Sequence, residues 1–159
     1  MSKSLKRVKQ ALDDFGVTTE IRETGEARTA QMAADELGVD VDQIAKSIIF
    51  KGETSGKAVL FLTAGGNQVD VKKASDLAGE QLGKADAALV RSQTGFAIGG
   101  VSPIGHKSPI RCWLDPHLTN FPEIWAAAGT PHHVFSSSAD QLSEIFGAIT
   151  ADFTLKKIM

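Results

Sequence analysis

Apolar residues at helical spacing predict a helix near the N-terminus and four more along the chain. Apolar residues from Leu5 to Phe15 recur at intervals of three and four before Gly16, which predicts an amphipathic helix over residues 3–15. A second helix is predicted from about Thr29 to the glycine at position 38. Three more are predicted, each beginning at or after a residue that can cap a helix N-terminus: 71–77 after Asp70, 86–93, and the stretch from Ser138 to Phe146.

Runs of β-branched, aromatic and alternating apolar residues predict strands between these helices. The clearest are 46–51 and 58–63, which a turn from Gly52 to Gly56 joins into a predicted hairpin. Both runs are almost continuously apolar, as is typical of strands covered on both faces. The other five predicted strands are 18–23, 94–98, 110–115, 124–128 and 133–135. We therefore expect one α+β domain over residues 1–159, with a mixed, curled sheet of about seven strands and short helices.

Glycine and proline concentrate in the segment that follows residues 94–98. It reads Gly99-Gly100-Val101-Ser102-Pro103-Ile104-Gly105-His106. Glycine lets another group approach the main chain closely, and proline fixes its own φ and removes a donor. Such a loop can direct its remaining N–H groups at an anion or at a carbonyl oxygen that is gaining charge. The alternative interpretation is an ordinary turn between strands.

Composition and charge exclude only a few classes of function. The chain has 42% apolar and 23% charged residues and a net charge of −2, which is typical of a globular protein and not of a strong nucleic-acid binder. The basic residues near the N-terminus and at positions 72 and 73 are expected to form solvated faces. No apolar run reaches the ~18 residues of a membrane span, so we expect a cytoplasmic protein with no membrane partner.

Familiar catalytic arrangements are difficult to build from this sequence. The single cysteine, Cys112, lies in an alternating apolar strand and is interpreted as a packed small hydrophobe. Ser102 departs from the Gly-x-Ser-x-Gly elbow because Pro103 follows it directly, and that proline has no N–H for an oxyanion hole. The histidines lack the spacing of metal ligands, and no nucleotide-binding motif occurs, so we expect no metal and no cofactor.

Lys46 is a candidate functional residue because it lies between a predicted capped turn and an apolar strand. A lysine at a strand end near a cleft can hold a phosphate or polarise a carbonyl group. The alternative is an ordinary surface lysine with a buried stem.

Four segments in this order resemble the YbaK family, which is related to the editing insertion of bacterial prolyl-tRNA synthetase. They are Lys46-Ser-Ile-Ile-Phe, Asp70-Val-Lys-Lys, Thr94-Gly-Phe-Ala-Ile-Gly-Gly-Val-Ser-Pro-Ile-Gly-His and Ala128-Gly-Thr-Pro. The resemblance covers about residues 5–153. It implies a barrel-like mixed sheet wrapped by helices, and a free-standing enzyme that hydrolyses the ester between a wrong amino acid and tRNA.

The resemblance also implies which residues form the site. It makes Lys46 the active-site lysine and the segment from Gly99 to Gly105 the loop that lines the acyl end of the pocket. The expected catalytic set is Lys46, Gly100, Val101, Ser102 and Gly105. The expected substrate-binding set is Arg28, Thr29, Met32, Phe50, Ile98, Gly99, Pro103 and His132.

An editing function is physically reasonable. One methylene in an apolar pocket discriminates by only about 1–3 kcal/mol, so a synthetase needs a second site that removes smaller amino acids. We expect backbone N–H groups of the loop to stabilise the oxyanion while water or the neighbouring 2′-OH of the tRNA attacks the ester. The expected substrates are alanine, cysteine or 2-aminobutyrate on tRNA(Pro), with serine and threonine also open. Prolyl-tRNA synthetase is a candidate partner, whereas DNA is not.

Two other classes of function remain open at this point. A non-catalytic module could use the same pocket to bind aminoacylated tRNA ends or a small ligand. An ordinary serine hydrolase would need the Ser102 hydroxyl, and Ser102→Ala would then abolish its activity on simple esters.

Overall fold

Eight strands share one mixed sheet in the computed structural model, which describes residues 2–25 and 27–156. The strands are β1 Ile21–Glu23, β2 Ile44–Gly52, β3 Ala58–Ala64, β4 Leu82–Lys84, β5 Arg111–Leu114, β6 Ile124–Ala127, β7 His133–Ser137 and β8 Ile149–Thr150. The helices in the same residues are α1 Lys3–Asp14, α2 Ala30–Leu37, α3 Val71–Ala78, α4 Ala87–Thr94 and α5 Ala139–Glu144. This arrangement confirms the expected α+β class with a mixed sheet and short helices.

Short-range capping contacts start the helices where the sequence predicts them. The Thr29 hydroxyl accepts the Met32 N–H at 3.1 Å at the start of α2, and Asp70 accepts two N–H groups at the start of α3. Ser138 begins α5 in the same way. Each cap satisfies donors that the first turn of a helix leaves without a partner.

The sheet has the order β1-β7-β6-β2-β3-β5-β8, and β4 pairs with β2 beside this path. The predicted hairpin is confirmed, since β2 and β3 are antiparallel with Lys46 opposite Thr63. The other edge of β2 is shared, because β6 pairs with it at Ile44 and Ala45 and β4 pairs with it from Phe50 to Gly52. In the described residues, no strand pairs with that edge of β2 over 46–49. The sheet therefore divides there.

Buried side chains lie on both faces of β3, as its continuous apolar run predicts. Leu60 and Leu62 belong to the main core with α1, whereas Phe61 stacks on Trp113 in a second core that includes residues of α3. A third cluster packs α2 against Ile44 and Trp125. Among the described helices, none has the length and apolar character to cross a membrane.

Two strand predictions need correction. The predicted strand 94–98 is wrong, since these residues form the end of α4 and a turn. Phe96 is buried in the core, whereas Ile98 is exposed at the tip of the turn. Their alternation resembles a strand, but only the first of these two side chains has a core to enter. Strand β4 was not predicted, since Leu82-Gly83-Lys84 has no pattern of its own and extends through pairing with β2.

Candidate functional site

A cleft of about 250 Å³ lies where β6 diverges from β2. Its walls come from the start of α2 and the segment before it, from the first residues of β2, from β6, from two loops at 99–101 and 130–131, and from the start of β7. The residues that line it are Thr24, Ala27, Arg28, Thr29, Ala30, Ala33, Ile44, Ala45, Lys46, Ser47, Gly99, Val101, Trp125, Ala127, Thr130, Pro131, His133 and Val134. Most of the apolar walls are alanine or valine, so the cleft suits a small group.

Lys46 lines this cleft from the third position of β2, and its Nζ donates to the carbonyl oxygen of Gly65 at 3.2 Å. Partial burial lowers the pKa of the Lys46 ammonium below its usual value, while the carboxylates of Asp42 and Asp115 act in the opposite direction. Desolvation disfavours the charged form, and nearby opposite charges favour it. The two acidic side chains thus offset part of the cost of burying the Lys46 charge.

The turn that accepts the Lys46 hydrogen bond is itself held by the two carboxylates. Asp42 accepts the N–H of Gly66 at 2.7 Å, and Asp115 accepts the N–H of Ala64 at 3.1 Å. The residues on either side of Gly65 are therefore fixed by charge-assisted hydrogen bonds, which are stronger than neutral ones. This arrangement orients the Gly65 carbonyl group toward Lys46.

A histidine extends this arrangement away from the cleft. The Nε2 atom of His117 lies 2.9 Å from Asp42, and the His117 N–H donates to Asp115 at 2.9 Å. Asp115 is almost fully buried. Its carboxylate accepts three protein donors, including the amide of Asn67 at 3.0 Å, so its role is structural.

The glycine-rich loop reaches the cleft through its first residues. Gly99 has a backbone φ of +95°, which residues other than glycine rarely adopt. The Gly100 N–H donates to the Ala97 carbonyl oxygen at 3.1 Å and closes a turn. A Cβ atom at Gly100 would lie 2.8 Å from the Cα of Thr130. Glycine at position 100 thus allows the two loops that border the cleft to touch.

Two residues of this loop that line the cleft, Gly99 and Val101, have N–H groups without an acceptor in the described part of the chain. Val101 is 5% exposed, and a buried N–H group without a partner is uncommon in folded proteins. The Gly100 N–H, by contrast, is already used in the turn.

Several predicted site residues do come together here. Lys46, Val101, Gly99, Arg28 and Thr29 all line the cleft. Ile98 and His132 line an adjoining groove, together with Arg28 and Gly99, which also line the cleft.

The remaining predicted residues lie elsewhere, for identifiable reasons. Ser102 is fully buried, its hydroxyl accepts the Ile104 N–H at 3.3 Å, and Pro103 is buried beside it. The hypothetical Cβ of Gly105 would contact Arg7 and Ala11 of α1, so this residue faces that helix. These residues can shape the loop without lining the cleft.

Two predicted wall residues also lie outside the cleft. Met32 is 42% exposed, because it is two positions from Ala30 and one from Ala33 and so projects from another face of α2. Phe50 packs edge-to-face on Phe61, with ring centroids 5.9 Å apart, in the second core.

Sequence reasoning missed the alanines of α2 and the acidic residues around Lys46. Alanine at 27, 30 and 33 carries no chemical signal, although helical spacing places the last two on one face of α2. Asp42 and Asp115 come from segments 73 positions apart, or 115 − 42. Asp115 caps the short turn that starts at Pro116, and Asp42 lies inside another short turn, Val41–Gln43, so only the fold indicates that both lie near Lys46.

Known proteins resemble this chain in sequence and in structure. Residues 24–145 match the model of the aminoacyl-tRNA editing domain family. The uncharacterized protein YwhH of Bacillus subtilis strain 168 is 30% identical over 142 residues, covering 89% of this chain and 90% of that protein. A candidate Cys-tRNA(Pro)/Cys-tRNA(Cys) deacylase, EbsC of Enterococcus faecalis, is 27% identical over 129 residues, or 74% of this chain and 76% of that one.

A solved structure extends this similarity to the whole fold. It is the crystal structure of a candidate trans-editing enzyme for prolyl tRNA synthetase, with a TM-score of 0.90 and 42% sequence identity. The match covers 98% of this chain and 99% of that one.

Proposed function

Because the chain belongs to the aminoacyl-tRNA editing domain family, we propose that it hydrolyses the ester of mischarged tRNA in trans. Family membership supports a tRNA deacylase role in general terms. The observation that carries the specific proposal is the cleft itself, where small apolar walls, the Lys46 cation and two N–H groups without acceptors occur together.

The acyl group of the substrate enters the small-walled part of the cleft. Its carbonyl oxygen accepts the N–H groups of Val101 and Gly99, which act as preorganised donors for the charge that develops in the transition state. Lys46 contributes a positive charge to the same oxygen or to the terminal phosphate of the tRNA. Gly100, Ser102, Pro103 and Gly105 hold the loop in the conformation that presents these donors.

Water is the nucleophile in this mechanism. Its oxygen bonds to the carbonyl carbon, the bond to the ribose oxygen breaks, and the ribose oxygen takes up a proton. The neighbouring ribose hydroxyl can assist in proton transfer, but attack by that hydroxyl would only move the ester along the ribose. Ser102 and Cys112 do not compete for this role, since both are buried and burial raises the pKa of the Cys112 thiol to about 12.

The small walls favour a small amino acid. Alanine lines the cleft at five positions, 27, 30, 33, 45 and 127, which supports alanine, cysteine or 2-aminobutyrate as the group removed. A site of this size can complete a double sieve, because it excludes residues that fill the synthetase's own pocket. The similarity to a trans-editing enzyme for prolyl tRNA synthetase supports tRNA(Pro) as the carrier and that synthetase as a partner.

The test is deacylation of tRNA(Pro) charged separately with alanine, cysteine, 2-aminobutyrate, serine and proline. We expect release of one or more small residues with prolyl-tRNA spared, and a loss of about 10²–10³ in rate for Lys46→Ala. Lys51→Ala is the matched control, because it removes a lysine from the same strand, opposite Ala58 and outside the cleft lining.

Two results would contradict this function. If no charged tRNA is deacylated but the panel still binds at equilibrium, the protein is a binding module. If Ser102→Ala abolishes hydrolysis of simple esters while the fold persists, a serine hydrolase mechanism replaces water attack.

A further inference from the structure

His117 lies outside the cleft, in the short turn Pro116–Asn120, and lines a wide groove that shares no residue with the cleft lining. Its side chain is 37% exposed. The ring packs edge-to-face on Phe121, with ring centroids 5.6 Å apart. Because His117 does not line the cleft, any effect that it has on a reaction there must pass through the groups that it contacts.

The contacts of the imidazole ring determine which of its nitrogens carries the hydrogen. The Nδ1 atom of His117 lies 3.1 Å from the side-chain nitrogen of Asn120. An amide nitrogen can only donate, so Nδ1 is the acceptor, and the hydrogen of the neutral ring is on Nε2. Nε2 lies 2.9 Å from Oδ2 of Asp42. The Nε2–H group of His117 therefore donates to that carboxylate.

The carboxylate of Asp42 is held by donors on both of its oxygens. Oδ2 accepts from His117, and Oδ1 accepts the Gly66 N–H at 2.7 Å. Hydrogen bonds to an ionised acceptor are stronger than neutral ones, and two of them together set the orientation of the carboxylate. The Asp42 side chain is only 16% exposed, so water can replace a lost donor only in part.

The turn at Gly65 and Gly66 leaves the Asp42 carboxylate little room to move. A Cβ atom at Gly66 would lie 2.5 Å from Oδ1 of Asp42, and one at Gly65 would collide with the carbonyl oxygen of Val41. The same turn accepts the Lys46 ammonium through the carbonyl oxygen of Gly65 at 3.2 Å. A displacement of Asp42 would therefore be transmitted through this turn to Lys46.

We propose that His117 is a positioning residue for Lys46 and acts through Asp42 and the turn at Gly65 and Gly66. This rests on the proposed function, in which Lys46 acts on the substrate. His117 fixes the carboxylate, the carboxylate fixes the turn, and the carbonyl group of the turn holds the ammonium at the cleft. A displacement of about 1 Å can cost about 10²-fold in rate, so a contact outside the cleft can control turnover.

The first experiment uses the whole isotope-labelled protein and no substrate. The nitrogen NMR signals of the His117 ring, recorded at alkaline pH where a histidine ring carries a single hydrogen, identify the protonated nitrogen. We expect the hydrogen on Nε2. A hydrogen on Nδ1 would overturn the proposal, because Nε2 could then not donate to Asp42.

Three variants separate the donor from the packing of the ring. His117→Phe keeps a ring against Phe121 but has no donor, whereas His117→Gln has an amide nitrogen that can take the place of Nε2. Thr119→Ala is the matched control, because it removes a hydrogen bond of the same turn, in which the Thr119 hydroxyl donates to the Pro116 carbonyl oxygen at 2.6 Å. The amide proton signal of Gly66 should move to higher field in His117→Phe and stay near its original position in the other two. An unchanged Gly66 signal in His117→Phe would overturn the proposal.

The second experiment measures deacylation of the aminoacyl-tRNA that is hydrolysed fastest. His117→Phe should lower kcat/KM at least about fivefold, whereas His117→Gln and Thr119→Ala should stay within about twofold of the unchanged protein. Asp42→Ala removes the group through which His117 acts, so adding His117→Phe to it should change kcat/KM by less than about twofold. Independent losses that multiply in the double variant would overturn the proposal.

These results also distinguish the role of His117 from the proposed function. Thermal unfolding confirms that each variant is folded before its rate is compared. Deacylation that is insensitive to His117→Phe overturns the positioning role and leaves the deacylase intact. If no charged tRNA is deacylated, the proposed function fails, and the NMR signals of the His117 ring and the Gly66 amide still decide whether His117 holds the turn that contacts Lys46.

Discussion

Lys46 shows how opposing electrostatic effects can act on one side chain of the cleft. Burial disfavours its positive charge, and Asp42 and Asp115 favour that charge. The ammonium also donates to the Gly65 carbonyl oxygen, so its position is fixed as well as its charge. A cation held in this way can act on an ester oxygen without first being desolvated by the substrate.

The pH dependence of deacylation should report this balance. If Lys46 acts as a cation, activity is present below its pKa and is lost as pH rises through that pKa. Because burial lowers the pKa from the usual lysine value of 10.5, the loss should begin at lower pH than for an ordinary lysine. Asp42→Asn removes one charge that raises the pKa, so its alkaline loss should begin at still lower pH.

The measurement is the enzymatic rate from neutral to alkaline pH, after subtraction of spontaneous ester hydrolysis. Asp70→Asn is the control, since it also removes one carboxylate while asparagine can still cap α3. Identical profiles for Asp42→Asn and the unchanged protein would contradict a cationic role for Lys46.

Cys112 should behave as a packing residue. It is buried in the main core, and its pKa of about 12 leaves almost no thiolate at neutral pH. We expect iodoacetamide to leave the folded protein unlabelled. Cys112→Ala should keep deacylation and lower the free energy of unfolding by about 1 kcal/mol, which corresponds to a fall in Tm of about 2–4 °C. Rapid labelling or a stable but inactive variant would contradict this role.

At the scale of elements, local chemistry could be predicted from the sequence and long-range packing could not. Thr29, Asp70 and Ser138 cap helices through contacts within three residues, which a linear pattern contains. Strand β4 forms because it pairs with the free edge of β2 over Phe50–Gly52. The local sequence of β4 contains no pattern that predicts this pairing. The stretch from Thr94 to Ile98 was misinterpreted because alternation does not reveal which side chain reaches the core.

The contact between the two cleft loops should be sensitive to a single methyl group. Gly100→Ala would place its Cβ 2.8 Å from backbone atoms of Thr130, which cannot move as a side-chain end can. We expect a loss of about 1–3 kcal/mol in the free energy of unfolding and a lower deacylation rate, because the Val101 N–H shifts with the loop. Thermal unfolding and single-turnover deacylation would measure both effects.

Gly83→Ala is the appropriate comparison for that variant. The three atoms nearest to its Cβ all belong to the Glu53 side chain, which can rotate away, and β4 contributes no residue to the cleft lining. It should therefore unfold and react nearly as the unchanged protein does. Full activity of Gly100→Ala would mean that the loop contact does not position the donors.

At the scale of the molecule, the site is assembled from segments that are distant along the chain. Its walls come from residues near 28, 46, 99, 125 and 130. Recognition of four ordered motifs could indicate that Lys46 and the glycine-rich loop belong to one site. The walls contributed by α2 and β6 depend on how those elements pack, and the sequence alone does not show that Met32 and Phe50 lie outside the cleft lining.

Net charge sets the expectation for tRNA affinity. The chain carries −2 overall, and Arg28 and Lys46 are cations that line the cleft. Each phosphate contact to a single strand contributes a slope of about −0.7 to the logarithm of affinity against the logarithm of salt concentration. With one or two such contacts, kcat/KM for the charged tRNA should fall with a slope of about −0.7 to −1.4. Arg28→Ala should make that slope shallower by about 0.7. Arg91→Ala, which removes an arginine of α4 outside the cleft lining, should not change the slope.

A steeper dependence would identify a different mode of binding. A slope beyond about −4 would require six or more phosphate contacts, far more than Arg28 and Lys46 can make. The basic residues of α1, Lys3, Lys6, Arg7 and Lys9, would then be the next surface to test. A shallow slope would instead mean that recognition is concentrated at the terminal nucleotide and the acyl group. Efficient deacylation would in that case depend on the concentration of mischarged tRNA or on a synthetase that delivers it.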